Sequence, residues 1–352
     1  MPLQIFTAPL AQLGLAVLAG SLLSLAVSPL AIGLARRLGL MDIPGTSPHK
    51  RHAAPTPLAG GMILMICLPI LLTVFGLWQK ETAPLLGAAG IIFIFGLLDD
   101  RFGFSAAQKF SGQGLASLLI LWSGISVNFF DVFLTRLPAP LIHWLNLGVT
   151  VFWLVGIVNA FNLTDSMDGL AAGLAAIAAG FSSLFALAAG QTELAQISAI
   201  LFGICLGLYA INITPARSFL GDSGAQTLGF LLAVIGILYT PPQAPQGSTW
   251  FIPILLVGVP IFDTTLVTFS RLRRGKPVFQ ADLGHTYHRL VRAGLSARRA
   301  VLTLQLTAFA LGSLAFLSIF LPPRLASGLF ALACLSGLLG MLWLEFRIGL
   351  EE

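Results

Sequence analysis

The chain has 352 residues, of which 57% are hydrophobic and 9% charged, with a net charge of +5 and a mean hydropathy of +0.92. A soluble domain carries about 25% charged residues, so this composition excludes a water-soluble globular protein. No nucleic-acid partner is expected.

A bilayer crossing needs about 20 mainly apolar residues, and about eleven stretches approach that length. In chain order they are Leu10–Leu34, Leu58–Leu77, Pro84–Leu98, Ala106–Trp122, Leu141–Val158, Leu170–Ala189, Leu194–Ile211, Ala225–Tyr239, Trp250–Phe269, Ala300–Leu321 and Leu325–Leu344. The expected fold is an all-α integral membrane protein, one polytopic domain over 1–352. No Lys or Arg precedes Arg36, and the first apolar run exceeds a signal core, so it reads as a retained span. Cys67, Cys205 and Cys334 sit singly in apolar runs and read as packing residues.

With the N-terminus placed outside, alternating spans put all but Lys80, Arg136 and Arg324 of the nineteen basic residues on one side. Loops rich in Lys and Arg stay in the cytoplasm, so that side is inside and the C-terminus is cytoplasmic. All but three of the fourteen acidic residues fall on the same side. Carboxylates do not set topology, and near hydrocarbon they need a cavity, a cation or a partner. Their convergence on one face is the first functional signal.

Five groups of polar residues lie on that face. Pro48-His49-Lys50-Arg51-His52, followed by Gly60-Gly61, joins basic residues to a glycine pair at a helix start, which suits a nucleotide. Asp99 and Asp100 end one helix, and Lys109 lies in the first turns of the next. Adjacent carboxylates favour a divalent cation, a shared proton or a nearby base. Asn162, Asp165 and Asp168 recur every third residue, ahead of a Gly169-x-x-x-Gly173 pair suited to helix packing.

The fourth group is Asn212 to Gly224, where glycines flank Asp222 and Phe219 offers an aromatic face. A lone Asp among oxygen donors suits Mg²⁺, which takes one or two carboxylates together with substrate phosphates. The fifth is the long cytoplasmic loop 271–299, with His285, His288 and Arg289; no Cys or third His is near enough for a closed zinc site. Asp263, inside the preceding apolar stretch, reads as a carboxylate paired with a base or closing the cavity floor.

This ordered set resembles the polyprenyl-phosphate N-acetylhexosamine-1-phosphate transferases, over roughly Pro44 to Ala300. Lys50-Arg51-His52 with Gly60-Gly61, Asp99-Asp100 with Lys109, Asn162-x-x-Asp165-x-x-Asp168-Gly169, Gly221-Asp222-Ser223-Gly224 and the His285-to-Arg289 segment occur in family order. Eleven spans and an outward N-terminus are similar to the branch that makes undecaprenyl-diphosphate N-acetylglucosamine. The resemblance implies transfer of N-acetylglucosamine-1-phosphate from a UDP-sugar to undecaprenyl phosphate in a bacterial inner membrane, with release of UMP.

It further implies Asp222 as the main Mg²⁺ ligand, aided by Asn162, with Mn²⁺ as the alternative ion. Asp99 and Asp100 would orient or deprotonate the lipid phosphate, and Lys109 would bind it. Asp168, Asn212 and Phe219 would meet the uridine end. His285, His288 and Arg289 would hold the diphosphate or sugar, and Lys50 and Asp165 complete the substrate-binding set. A homodimer is compatible with the family. Tyr287 stands where the N-acetylglucosamine branch usually carries a third histidine, which leaves the amino sugar open. Two other readings are weaker. An ion-coupled transporter would place its carboxylates at the midplane. A phosphatidyl-alcohol transferase would continue Asp165-x-x-Asp168-Gly169 with Ala-Arg and two later Asp residues, but here Ala172 is followed by Gly173.

Overall fold

The apolar stretches become helices. The computed structural model describes residues 2–44, 54–134, 136–240, 250–277 and 284–348. The long helices are α1 (Pro2–Arg37), α3 (Thr82–Phe102), α6 (Ala139–Thr164), α7 (Leu170–Ala188), α8 (Thr192–Asn212), α9 (Gly221–Leu238), α13 (Ala297–Ser318) and α14 (Pro323–Arg347). Shorter ones are α2 (Gly60–Val74), α4 (Ala106–Trp122), α5 (Phe130–Phe133), α10 (Ile252–Leu256), α11 (Gly258–Arg273) and α12 (Thr286–Arg292). Among the described residues, eight helices are long and apolar enough to cross a membrane, which makes this a multi-pass membrane protein.

The count of eleven is not reached by length alone. α2 and α4 have 15 and 17 residues. The stretch expected as one span from Trp250 to Phe269 is broken at Val257, which ends α10 and precedes α11. Pro260 has no N–H to donate back to Leu256, so an unbroken helix would lose a hydrogen bond there.

Burial orders the bundle from inside to outside. In α7, α8 and α9, 72% of the apolar window is buried; in α14 it is 6%. Leu22, Trp122, Phe152, Leu332 and Trp343 point outward. An apolar exterior of this extent is what lipid requires and water would penalise.

The ends of α3, α4, α6 and α9 meet at one end of the bundle. Local chemistry sets two of them. Gly103 takes a left-handed conformation after α3 and donates its N–H to Asp99 O at 2.8 Å. Ser105 and Gln108 then form a capping box, with the Gln108 side chain accepting from Ser105 N at 2.9 Å. This fixes the start of α4 and places Lys109 in its first turn.

The segment before α9 is tied to the segment before α2. β1 (Met41–Asp42) and β2 (Thr56–Pro57) pair antiparallel, and Leu58 forms a parallel bridge with Phe219. Ser218 Oγ donates to Pro57 O at 2.9 Å and accepts from Ala59 N at 3.2 Å. α2 and α3 then press directly on the first turn of α9. A Cβ on Gly61 would stand 2.6 Å from Ser223 Oγ, and one on Gly96 would stand 2.5 Å from Ser223 Cα. The buried Gly60-Gly61 pair therefore serves helix packing, in place of the nucleotide contact its sequence suggested.

Gly96→Ala tests this close approach. Overpacking of a tight contact typically costs about 1–3 kcal/mol. The variant should unfold at lower temperature in detergent than the parent; an unchanged midpoint would show that α3 and α9 are not held at this distance.

Candidate active site

The site is built around Asp222, at the first turn of α9. Lys109 Nζ lies 2.7 Å from Asp222 Oδ2 and also contacts Asp99 Oδ2. Asn162 Nδ2 donates to Asp222 Oδ1 at 2.9 Å. Side chains from α3, α4, α6 and α9 thus meet on one carboxylate. Asp222 keeps 32% side-chain exposure and Lys109 28%, so the cluster opens to an incoming ligand.

The two adjacent aspartates do different work. Asp100 accepts from Asp222 N at 2.7 Å, from Ser223 N at 3.1 Å and from Ser223 Oγ at 2.7 Å. It caps α9 from another helix, meeting N–H groups that would otherwise lack partners. Gly221, with φ +70°, brings its backbone against this carboxylate, and a Cβ there would stand 2.7 Å from Asp100 Oδ2. The flanking glycine therefore admits a protein carboxylate. Asp99 accepts from Phe104 N at 2.7 Å, through the oxygen that does not contact Lys109.

Asp165 follows α6, one turn beyond Asn162. Burial, and then the charges of Asp222, Asp100, Asp168 and Asp42, push its carboxyl well above the ordinary carboxylate range. Asp99, Asp100, Asp165 and Asp222 thus crowd around Lys109, and a bound cation would ease the repulsion among them. Among the described residues, no three His, Cys, Asp or Glu side chains form a ready-made cage. The donors present are carboxylate and amide oxygens, a set that fits a hard ion sharing its coordination with water and phosphate.

Asp168 lies at the rim, where it accepts from Thr214 Oγ1 at 2.9 Å. Phe219 is half-buried, and its backbone belongs to the bridge with Leu58. Asn212 is 2% exposed; its amide accepts from Gly169 N at 2.9 Å and donates to Ser218 O at 3.1 Å. It joins the loops before α7 and α9 and offers little to a ligand. Gly173 packs on Gln305, whose amide donates to Gly169 O at 2.9 Å, as the small-residue pair suggested.

The cytoplasmic-loop residues form a separate group. Asp263 in α11 faces His285 Nδ1 at 2.8 Å and accepts from Thr286 N at 2.6 Å. It pairs with a base, as its sequence position suggested, and caps α12. His288 contacts the Tyr287 hydroxyl. Lys50 and residues 278–283 lie outside the described residues.

Arg289 requires a correction. It is fully buried. Nε donates to Gly284 O at 2.8 Å, NH1 to Leu344 O at 2.9 Å and NH2 to Ser270 Oγ at 2.9 Å, with Glu345 Oε2 2.7 Å from NH2. All three nitrogens are engaged by protein, so Arg289 does not contact substrate. Glu345 also accepts from Arg273 Nε at 2.8 Å. The result is a clamp holding α11, α12 and α14 together.

A cavity of about 480 Å³, lined in part by Ser123, Phe129, Trp153, Tyr239 and Trp250, opens between the far ends of α4 and α9. It lies at the opposite helix ends from the carboxylates. Volume alone does not make a reaction site, and the charged and amide side chains gather at Asp222 instead.

Residues 82–240 match the model of a family described as "Glycosyl transferase family 4". A Bacillus subtilis protein named "Probable undecaprenyl-phosphate N-acetylglucosaminyl 1-phosphate transferase" is 35% identical over 288 residues, 81% of this chain and 79% of its own length. The chain belongs to the polyprenyl-phosphate N-acetylhexosamine-1-phosphate transferase family. Two further members of this transferase family agree. A Mycobacterium tuberculosis "Decaprenyl-phosphate N-acetylglucosaminephosphotransferase" is 30% identical over 346 residues, 90% of this chain and 85% of its own. An Escherichia coli K12 "Undecaprenyl-phosphate alpha-N-acetylglucosaminyl 1-phosphate transferase" is 29% identical over 320 residues, 85% and 83% respectively.

The Arg289 clamp makes a prediction that separates structure from binding. Breaking a buried ion pair by removing one partner costs about 3–5 kcal/mol. Arg289→Ala should markedly lower the thermal midpoint in detergent, with or without nucleotide sugar. An unchanged midpoint combined with a raised KM would instead make Arg289 a ligand contact.

Proposed function

We propose that this protein transfers N-acetylglucosamine-1-phosphate from UDP-N-acetylglucosamine to undecaprenyl phosphate, at the cytoplasmic face of a bacterial inner membrane. The observation that carries the reading is the junction of Lys109, Asp99, Asn162 and Asp222 at one end of a lipid-facing bundle. The names of the relatives supply the substrate classes. Basic residues concentrated on the same face support the cytoplasmic assignment, with eleven crossings and an outward N-terminus.

In the reaction an oxygen of the lipid phosphate attacks the sugar-bearing phosphorus of the nucleotide. A new P–O bond forms, the P–O bond to UMP breaks, and UMP leaves with the electron pair. Both partners are anions, so positioning and counter-charge supply most of the acceleration. Mg²⁺, or Mn²⁺, when bound at Asp222 with Asn162 beside it, supplies Lewis-acid neutralisation of phosphate charge.

The chain's own residues do the rest. The ammonium of Lys109 has three donors; Asp99 and Asp222 engage it, and a donor remains for a lipid phosphate oxygen. Asp99 holds the lysine and is the carboxylate best placed to orient that phosphate. Asp100 keeps the first turn of α9, and with it Asp222, in register. Asp165, Asp168 and Phe219 line the approach for the nucleotide, while His285, oriented by Asp263, and His288 serve the diphosphate or sugar. A homodimer is consistent with the outward apolar face of α14.

The test is a radiolabel transfer assay with purified protein, undecaprenyl phosphate and a panel of UDP-amino sugars. Product should require divalent ion and favour UDP-N-acetylglucosamine. Asp222→Ala should reduce turnover by at least about 100-fold, the scale of losing a principal electrostatic group. Full activity in that variant would remove the metal assignment, and absence of UMP release with active solute uptake in vesicles would favour a transporter.

A further inference from the structure

One turn deeper in the membrane, beneath the Lys109–Asp222–Asn162 junction, lies a second polar layer. Gln113 follows Lys109 by four residues on α4, Gln226 follows Asp222 by four on α9, and Asn159 precedes Asn162 by three on α6. Residues three or four apart share a helix face, so each amide sits directly below a member of the site. Asn159 Nδ2 donates to Gln113 Oε1 at 2.8 Å. Gln113 Nε2 lies 3.4 Å from Asn159 Oδ1 and 3.3 Å from Gln226 Oε1. Gln113 and Gln226 are 2% and 3% exposed.

Apolar helices in lipid have little to fix their rotation, because lipid contact and helix contact are similarly favourable. Directional hydrogen bonds supply that restraint. Amides supply it without charge, so they do not compete with Lys109 or an incoming cation for the carboxylates. Buried polar groups with each other as partners are rigid, because breaking one bond strands another group.

We infer that Gln113, Asn159 and Gln226 form a positioning layer for phosphosugar transfer. Their hydrogen bonds set the rotation of α4, α6 and α9 so that Lys109 and Asn162 both reach Asp222. The layer touches no substrate and acts through the residues above it. This inference rests on the transferase reading for its catalytic consequence, while its effect on Lys109 is independent of activity.

The experiment compares Gln113→Met, Gln226→Met and the double variant with the parent enzyme, each purified and monodisperse in detergent. Small misplacements of catalytic groups reduce rate by up to about 100-fold. Each single variant should lose about tenfold in kcat, with KM for the nucleotide sugar within about twofold. The double variant should be no worse than the poorer single one by more than about threefold, because both remove the same interaction. Labelling of Lys109 by an amine reagent, read by mass spectrometry, should quicken in all three.

Unchanged kcat and unchanged Lys109 labelling in the folded single variants would overturn the inference. So would multiplicative losses in the double variant, or a KM effect with kcat intact. If a methionine variant fails to fold, Gln226→Glu keeps the acceptor for Gln113; Lys109 labelling at the parent rate then supports the layer, and faster labelling overturns it. A parent protein that shows no transfer at all, yet whose Lys109 labelling follows the amide layer, would contradict the transferase reading and leave the positioning geometry standing.

Discussion

A lysine ammonium held between two carboxylates from different helices is the interaction on which the arrangement depends. At a membrane face, where water thins out, a lone carboxylate is costly and a lone ammonium is too. Lys109, Asp99 and Asp222 resolve that cost by meeting, and in doing so they bind α3, α4 and α9 into one corner. Asp100 and Asp165 add further carboxyl groups beside it, a crowding that makes the corner receptive to a cation and, with Lys109, to phosphate. Structure and chemistry therefore share the same residues.

Polar groups in this protein repeatedly serve elements distant in sequence. Asp100 caps α9, Asp263 caps α12, Asn212 bridges the loops before α7 and α9, and Arg289 with Glu345 ties α12 to α14. Each side chain satisfies backbone or charge that lipid cannot. The same requirement explains why the chain can have so few charged residues and still fix a site. Asp99, Asp100, Lys109, Asp222, Asp263, Arg289 and Glu345 are each committed to a partner, and the glycines at 61 and 96 allow the helices to come close enough for the contacts around α9.

The fold class was legible in the sequence because twenty-residue apolar runs have few alternatives. The break at Val257 was less so, since hydropathy is blind to a proline's missing N–H within an apolar run. Convergence of Asp99, Asn162 and Asp222 could be read from their shared position at helix ends on one face. The division of labour between Asp99 and Asp100 could not, because adjacent residues point to different neighbours only once the helices are packed. Arg289 misled for a related reason. A basic residue beside histidines suggests phosphate, yet its partner Glu345 lies on the last helix, far along the chain. Gln113 and Gln226 carried a usable signal: isolated amides in apolar runs, one turn from the motif residues. Ser223, now seen to bind Asp100, was hidden inside the motif as a small spacer.

The most direct test of the shared corner is a proximity measurement that does not depend on activity. In a protein with Cys67, Cys205 and Cys334 replaced, cysteines at 109 and 222 would be joined by a short bifunctional thiol reagent in membranes, with a protease site introduced near Gly190 to separate uncrosslinked halves. A pair at positions 12 and 196, whose native side chains hydrogen-bond at 3.0 Å, serves as the positive control. The 109–222 pair should crosslink as readily as the control and keep the halves together. Separation of the halves while the control remains joined would place Lys109 and Asp222 apart and contradict a shared corner.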